Sequence, residues 1–454
     1  MTIPSPHPLP GTDQRATMSR RRFLRIGGAA AITGAAAVAG VAAADRLRRL
    51  DEGASATDVA YAPRADVNPT DLILVSVQLT GGLDFLNTVV PLDSGRYRDL
   101  RGAGAEDQAT LLPLDRQYGF HQSLPTLSQA WADGELAIVH GVGLSNSTLS
   151  HFADTDTWAR GRLDVGDGTG WLGRSLDALA ADVDPLIGVS IGGLSPSMYG
   201  PGWGAVALPD DGRLPWSAEF VEENPGIVAA YQGLLGVSGR PGAPMSLAEQ
   251  VRGSQQLVRD VADTVGGATD LERAAAAMEL FEDEDEGEEE GEEPSSERLI
   301  GNRLSLVADL INGGLPTRAY HVVHGDFDTH AEQAASFPLL LGDLDQAIAS
   351  FRTKLGANAS RVVIATWTEF GRRPDWNGNG TDHGTAGTQF VLGPSVVGGH
   401  HGEPPPMNRF DDEANFLITG DFRDYLGGLT SGVLGVDPNH AAPGTTRPME
   451  LIRA

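Results

Sequence analysis

The chain has 454 residues, of which 41% are hydrophobic, so it is long enough and apolar enough to bury a large core. Its 61 acidic against 33 basic residues disfavour a long nucleic-acid surface, because phosphates would be repelled. The absence of cysteine excludes disulfides and thiolate metal sites, so any metal must be held by His, Asp, Glu, backbone or hydroxyl oxygen.

The N-terminal segment has the pattern of a twin-arginine (Tat) export signal. Arg20 and Arg21 precede an apolar stretch from Ile26 to Ala44. We therefore expect residues 1–44 to act as a signal peptide that the Tat translocase recognises, with export to the periplasm, the cell surface or the extracellular space. The alternative is an uncleaved membrane anchor. The stretch is about long enough to span a bilayer, but its Ala and Gly residues insert weakly.

Residues 45–70 are polar and contain proline, which indicates a linker, and residues 71–454 are predicted to form a single domain. Apolar runs followed by polar or glycine-rich residues occur at 71–79, 135–143, 318–330, 360–372 and 388–393. Helical stretches at 124–134 and 330–356 separate some of these runs. This alternation predicts an α/β fold with an open, mostly parallel sheet flanked by helices.

An acidic tract at 282–294 interrupts this pattern, with ten carboxylates among residues 282–293. Such a run of like charge predicts a disordered, self-repelling loop at about 282–297. Weak calcium buffering and cleavage during maturation are the alternatives.

Open parallel sheets place ligands beyond the carboxyl ends of their strands, so the loops after the strands should line one rim. Four such loops carry side chains suited to metal binding, nucleophilic attack or anion binding: Asp84; Ser147, Thr148, Ser150 and His151; Asp326, Asp328 and His330; and Arg372, Asp382 and His383. Carboxylates and imidazoles could hold a divalent metal, a hydroxyl could attack, and Arg372 or Arg373 could neutralise an anionic group.

Each loop also has a structural interpretation. Residues 328–330 could cap the helix that follows, the "NGNGTDHG" stretch could be a set of left-handed turns, and "NSTLSHF" could be a polar helix cap. The joint placement of these loops after strands favours the functional interpretation.

The motifs "LVSVQLTGGLDFLNTVVP", "LSHFADTDTWARG", "GDFDTHAEQ", "TEFGRRPDWNGNGTDHGTAG" and "DFRDYLGGLTSGVLG" resemble the bacterial DUF1501 proteins, over most of residues 70–440. That family is commonly Tat-exported and of unassigned activity. It is similar in turn to the alkaline phosphatase and sulfatase superfamily, whose members bind two metals through an Asp-x-x-x-His and an Asp-His element.

The resemblance implies roles for individual residues. Asp382 and His383 match the Asp-His element, and His330 pairs with either Asp326 or Asp328 in the other. The nucleophile would lie within residues 147–150, and His400 or His401 takes the position of a late metal-binding histidine.

The sequence therefore predicts an exported, metal-dependent hydrolase of small phosphate or sulfate esters, with Zn, Mn, Ca or Mg as the metal. The alternative is a non-catalytic exported protein that keeps the fold and binds a surface glycan, an envelope partner or a structural metal. The two hypotheses differ in one structural requirement. An enzyme needs a Ser or Thr of residues 147–150 beside the site that holds Asp382 and His383.

Overall fold

The computed structural model describes residues 71–164, 166, 168–179, 187–200, 205–208, 210 and 296–453. The predicted signal peptide, the linker and residues 282–295 of the predicted acidic loop lie outside these residues, whereas residues 296–297 of that loop begin a helix. Fourteen strands are seen in the described part: β1 (Ile73–Leu79), β2 (Val89–Pro91), β3 (Leu112–Pro113), β4 (Tyr118–Phe120), β5 (Leu136–Gly143), β6 (Gly188–Ile191), β7 (Val206–Leu208), β8 (Ala319–His324), β9 (Val362–Trp367), β10 (Gly371–Arg372), β11 (His383–Gly384), β12 (Gly387–Leu392), β13 (Gly399–His401) and β14 (Gly420–Asp421).

The α-helices of the described residues are α1 (Phe85–Thr88), α2 (Gly95–Arg101), α3 (Pro125–Ala132), α4 (His151–Arg160), α5 (Trp171–Leu179), α6 (Ser296–Asn312), α7 (Gln333–Leu355), α8 (Phe422–Leu429) and α9 (Pro438–Ala441). Short 3-10 turns occur at Gly102–Gly104, Pro196–Met198 and Gly356–Arg361, and a π turn at Thr430–Leu434. None of the described helices is long and apolar enough to cross a membrane.

The main sheet has nine strands among the described residues, in the order β13-β5-β12-β9-β1-β8-β6-β7, with β14 also paired to β5. Strand β12 runs antiparallel to its neighbours β9 and β5, and the other pairs are parallel. Small sheets are formed by β2, β3 and β4 and by β10 and β11. The predicted fold class, an α/β fold with a mostly parallel sheet, is therefore confirmed.

Both faces of the sheet are buried, which explains why its strands have continuous apolar sequences rather than alternating ones. In β1, Ile73, Val75 and Val77 belong to one hydrophobic cluster and Leu74 to another, because successive side chains point to opposite faces. Helices α3, α6 and α7 contribute to the first cluster, and helices α4, α5 and α8 to the second. The fold is thus a sheet between two helical layers.

Strands β5, β9, β1 and β8 run in the same direction, with the antiparallel strand β12 between β5 and β9, so their carboxyl ends meet at one edge. Hydrogen bonds fasten two of the loops together there. The Thr80 amide donates to His324 at 2.9 Å, and the Phe327 amide donates to Thr80 at 3.0 Å. Gly81 has φ +111° and packs so closely on Asp328 that a Cβ would lie 2.3 Å from its backbone nitrogen. This edge is where the predicted site residues come together.

Candidate metal centre

Three loops bring His151, Asp328 and His383 together. Ligand atoms of these three residues all lie within 4.8 Å of one another, as they must to share one metal ion. His383 Nε2 is 3.0 Å from Asp328 Oδ1, and His151 Nε2 is 3.3 Å from Asp328 Oδ2. His330 joins them, with its Nε2 2.9 Å from His383 Nε2 and 3.1 Å from Asp328 Oδ1.

The other ring nitrogen of each histidine faces a hydrogen-bond acceptor. Nδ1 of His151 lies 2.7 Å from the Glu369 carboxylate, and Nδ1 of His330 lies 2.9 Å from Asp382. Nδ1 of His383 lies 2.8 Å from the backbone carbonyl of Leu149. Carboxylates and carbonyls accept hydrogen bonds, so each Nδ1 carries the proton and, in a neutral ring, each Nε2 is left with its lone pair.

The carboxylate of Asp328 stays ionised in this cluster. Burial acts to raise its pKa, but the hydrogen bond from Arg372, the contact with His383 and the positive charge of Arg372 outweigh burial and lower the pKa to about 2. The hydrogen bond to Glu369 raises the pKa of His151, whereas burial lowers the pKa of His383. The cluster therefore contains a permanently negative group beside imidazoles that differ in basicity.

Arg372 is fully buried, and its guanidinium spans several parts of the rim. It donates to the backbone carbonyls of Gly81, Gly82, Phe327 and Thr381 and to Asp328 Oδ1, the last at 2.7 Å. The side chain predicted to bind an anion is thus occupied with holding the loops together. Arg373, half-buried, donates from Nε to the His383 carbonyl at 3.2 Å, and no hydrogen bond of its Nη atoms is seen to the described residues.

Residues 147–150 lie on the same rim, because the carbonyl of Leu149 within them contacts His383. The hydroxyls of Ser147 and Thr148 donate to the buried carboxylate of Asp154 at 2.5 and 2.9 Å, and the amides of Thr148 and Leu149 donate to it as well. Ser150 precedes helix α4, but its hydroxyl makes no capping hydrogen bond. Among the described hydroxyls of residues 147–150, Ser150 Oγ is the one for which no hydrogen bond is seen.

The structure does not bring every predicted ligand into the cluster. Asp84 is fully buried, and its carboxylate accepts hydrogen bonds from Arg101, from Gln333 and from the first amides of helix α1. Asp326 is exposed, with φ +73°, and is absent from the metal-ligand cluster of the described residues. Asp382 contacts Nδ1 of the His330 ring, whereas Asp328 contacts Nε2 on the other side of that ring.

The two late histidines lie elsewhere. His400, on the edge strand β13, contacts His140 at 2.7 Å and Asp115 at 3.0 Å, and His401 contacts the Val397 carbonyl. Sequence reasoning gave no role to the Leu149 carbonyl or to Glu369 as a partner of His151. The position of Glu369 in a rim loop was the signal in the sequence that could have indicated its role. No sequence signal identifies a particular backbone carbonyl such as that of Leu149.

The family model described as "Protein of unknown function (DUF1501)" matches residues 242–415. The predicted resemblance to this family is confirmed. The match includes the loops that carry Asp328, His330 and His383, and it excludes the loop that carries His151. No curated protein matches the sequence significantly.

Solved structures with a similar fold include a lipoteichoic acid synthase, a sulfatase and an alkaline phosphatase. The lipoteichoic acid synthase LtaP from Listeria monocytogenes is 10% identical, with a TM-score of 0.33 over 85% of this chain and 77% of that chain. The PsFucS1 sulfatase from Pseudoalteromonas sp. is 12% identical, with a TM-score of 0.30 over 84% and 74%. The alkaline phosphatase from the Antarctic bacterium TAB5 is 11% identical, with a TM-score of 0.27 over 72% and 92%. Likenesses this weak carry no information about activity.

Proposed function

We propose that the protein is a metal-dependent hydrolase that acts on small phosphate or sulfate esters. The observation that carries the proposal is the convergence of His151, Asp328 and His383 within 4.8 Å, at the edge of the sheet where such folds bind ligands. His330 adds a third imidazole beside them. Imidazole and carboxylate together suit zinc or manganese better than calcium or magnesium, which prefer oxygen ligands alone.

The residues present fit a metal ion on two counts. His151 Nε2 is buried and has no hydrogen-bond partner among the described residues, although it lies beside Asp328. A buried ring nitrogen without a hydrogen-bond partner is costly, and a metal ion would satisfy it. The donor set also matches the nitrogen and oxygen ligands of hydrolytic zinc sites.

A bound divalent metal would lower the pKa of a neighbouring hydroxyl or water and offset the charge of the ester. The chain itself would supply the remaining functions. We assign Ser150 as the attacking hydroxyl, because Ser147 and Thr148 both donate to Asp154. Arg373, rather than the fully occupied Arg372, would bind the anionic oxygens of the ester through its Nη atoms.

The test combines metal content with hydrolysis. Purified protein is reconstituted with zinc or manganese, its metal content is measured by elemental analysis, and it is assayed with p-nitrophenyl phosphate and 4-methylumbelliferyl sulfate. We expect one metal per chain and chelator-sensitive hydrolysis, both lost in Asp328→Ala and His383→Ala. Ser150→Ala should abolish hydrolysis while keeping the metal, whereas Ser147→Ala should keep both.

The matched control is Asp326→Asn, since Asp326 is exposed on the same loop as Asp328 but outside the cluster. Wild-type protein that takes up no metal would overturn the proposal. Stoichiometric metal without hydrolysis of either ester class would overturn the catalytic part and favour the non-catalytic binding protein.

Export through the Tat translocase is part of the same proposal and rests on the N-terminal sequence alone. Fusion of residues 1–44 to a reporter that fluoresces after folded export would test it, with Arg20→Lys/Arg21→Lys as the control. Export that persists in the lysine variant would contradict the assignment.

A further inference from the structure

The hydrogen bonds of the three histidines divide the cluster into residues that face its centre and residues that orient them. Each Nδ1 donates outward, to Glu369, to Asp382 and to the Leu149 carbonyl, at 2.7, 2.9 and 2.8 Å respectively. The proton on Nδ1 leaves Nε2 of each neutral ring as an acceptor. The partner of Nδ1 therefore decides which nitrogen faces the centre of the cluster.

Three acceptor atoms then meet around one point. Nε2 of His330, Nε2 of His383 and Oδ1 of Asp328 are separated by 2.9 to 3.1 Å. Lone pairs this close repel one another unless a proton or a metal ion lies between them. In a tetrahedral zinc site with bonds of about 2.0 Å, neighbouring ligand atoms lie roughly 3.3 Å apart, which is close to the separations seen here.

Asp382 lies behind His330 rather than beside the acceptors. Its Oδ1 accepts from His330 Nδ1 at 2.9 Å and from Asn377 Nδ2 at 3.1 Å. Because Nδ1 and Nε2 are on different sides of an imidazole ring, the contact with Asp382 orients His330 and does not compete with it for a metal. Glu369 orients His151 in the same way, by accepting from its Nδ1. The backbone amide of Gly81 donates to Glu369 at 2.8 Å and holds this carboxylate in place.

We infer that the site holds a single metal, that His330 binds it together with Asp328 and His383, and that Asp382 is a positioning residue outside the ligand set. His151 lies at the other oxygen of Asp328, with its Nε2 3.3 Å from Oδ2, and the group of ligand atoms within 4.8 Å contains His151 but not His330. The inference rests on the proposed metal binding and specifies its ligands. It departs from the adjacent Asp-His ligand pair and the two metals that the sequence resemblance implied. Leu149 has the third orienting role through its carbonyl, at a φ of +57° that the hydrogen bonds to Asp154 maintain.

Two measurements on the variants His330→Ala, Asp382→Ala and Asp382→Asn test whether His330 is a ligand and Asp382 a positioning residue. The first is zinc affinity and stoichiometry, by competition with a chromophoric chelator. The second is the tautomer of His330 in metal-free protein, by long-range ¹H–¹⁵N NMR of histidine-labelled samples. The tautomer depends on the hydrogen bond itself, so a role of Asp382 in folding alone would not change it.

We expect one zinc per wild-type chain, and a loss of at least about 100-fold in affinity for His330→Ala. Loss of an orienting partner typically costs 10–100-fold, so Asp382→Ala should bind one zinc about 10–100-fold more weakly, with the Nε2–H tautomer of His330 appearing. Asp382→Asn should lose less, because its amide oxygen can still accept from Nδ1. Asp326→Asn is the matched control and should behave as wild type.

Two results would overturn the inference while leaving metal binding intact. One is abolition of zinc binding in Asp382→Ala together with unchanged affinity in His330→Ala, which would make Asp382 the ligand. The other is two zinc ions per chain. Metal-free wild type would overturn this inference and the proposed function together, whereas bound zinc without ester hydrolysis would overturn the proposed function alone.

Discussion

Replacement of Asp84 tests whether its carboxylate is structural or a metal ligand. Asp84 and Arg101 form an ion pair at 2.5 Å in which both side chains are fully buried. Gln333 also donates to Asp84, at 2.6 Å, and Arg101 donates to the carbonyls of Arg373 and Pro374 in the loop leading to His383. Removal of one partner leaves the other charge buried without compensation, at a cost of about 3–5 kcal/mol.

We therefore expect Asp84→Asn to lower the free energy of unfolding by about 3–5 kcal/mol. The double variant Asp84→Asn/Arg101→Met should lose less than the sum of the single variants, because it removes both buried charges. Urea unfolding of metal-free protein, followed by tryptophan fluorescence, measures these changes without a contribution from metal binding.

Metal stoichiometry of folded Asp84→Asn should equal that of wild type. The exposed Asp326→Asn variant is the control and should change stability by less than about 0.5 kcal/mol. The reasoning would be refuted if Asp84→Asn lost its metal while its unfolding free energy stayed within about 1 kcal/mol of wild type, since Asp84 would then act as a ligand.

Burial, and then the charge of Asp84, raise the pKa of Glu106 to about 7. A carboxyl with a raised pKa in the folded state favours folding at low pH, and this contribution is lost as the pH rises from about 4.5 to 7. Glu106→Gln should therefore reduce the change in unfolding free energy over this pH range by about 3 kcal/mol. Parallel curves of stability against pH for wild type and variant would contradict this. Gly81→Ala should weaken both stability and zinc binding, because its Cβ would collide with the backbone of Asp328. Gly356→Ala, at φ +55° with open space around it, should cost about 1 kcal/mol and leave zinc binding unchanged; equal effects of the two alanines would refute the steric argument.

Five strands that lie inside the sheet could be predicted from sequence, because each is a local apolar run, whereas the four-residue strand β6, which also lies inside the sheet, was not predicted. Strands β1, β5, β8 and β9 all fall within the predicted segments, and β12 does so to within one residue. The short strands β10, β11, β13 and β14 could not be predicted. Each has only two or three residues and exists because a distant segment supplies its hydrogen bonds, as β5 does for β13 and β14.

The sequence by itself determined the class of fold and the four loops that line its rim, since both depend on local hydrophobic pattern and on the rule that parallel strands end together. It also provided the residue types suited to a metal. Only the tertiary structure decided which atoms face one another. The partners of His151 and His383 lie 218 and 234 residues away in the chain, at Glu369 and Leu149. Local pattern carries no information about contacts at such separations, so the direction of each imidazole, and the burial of Asp84 against Arg101, follow from how the chain packs.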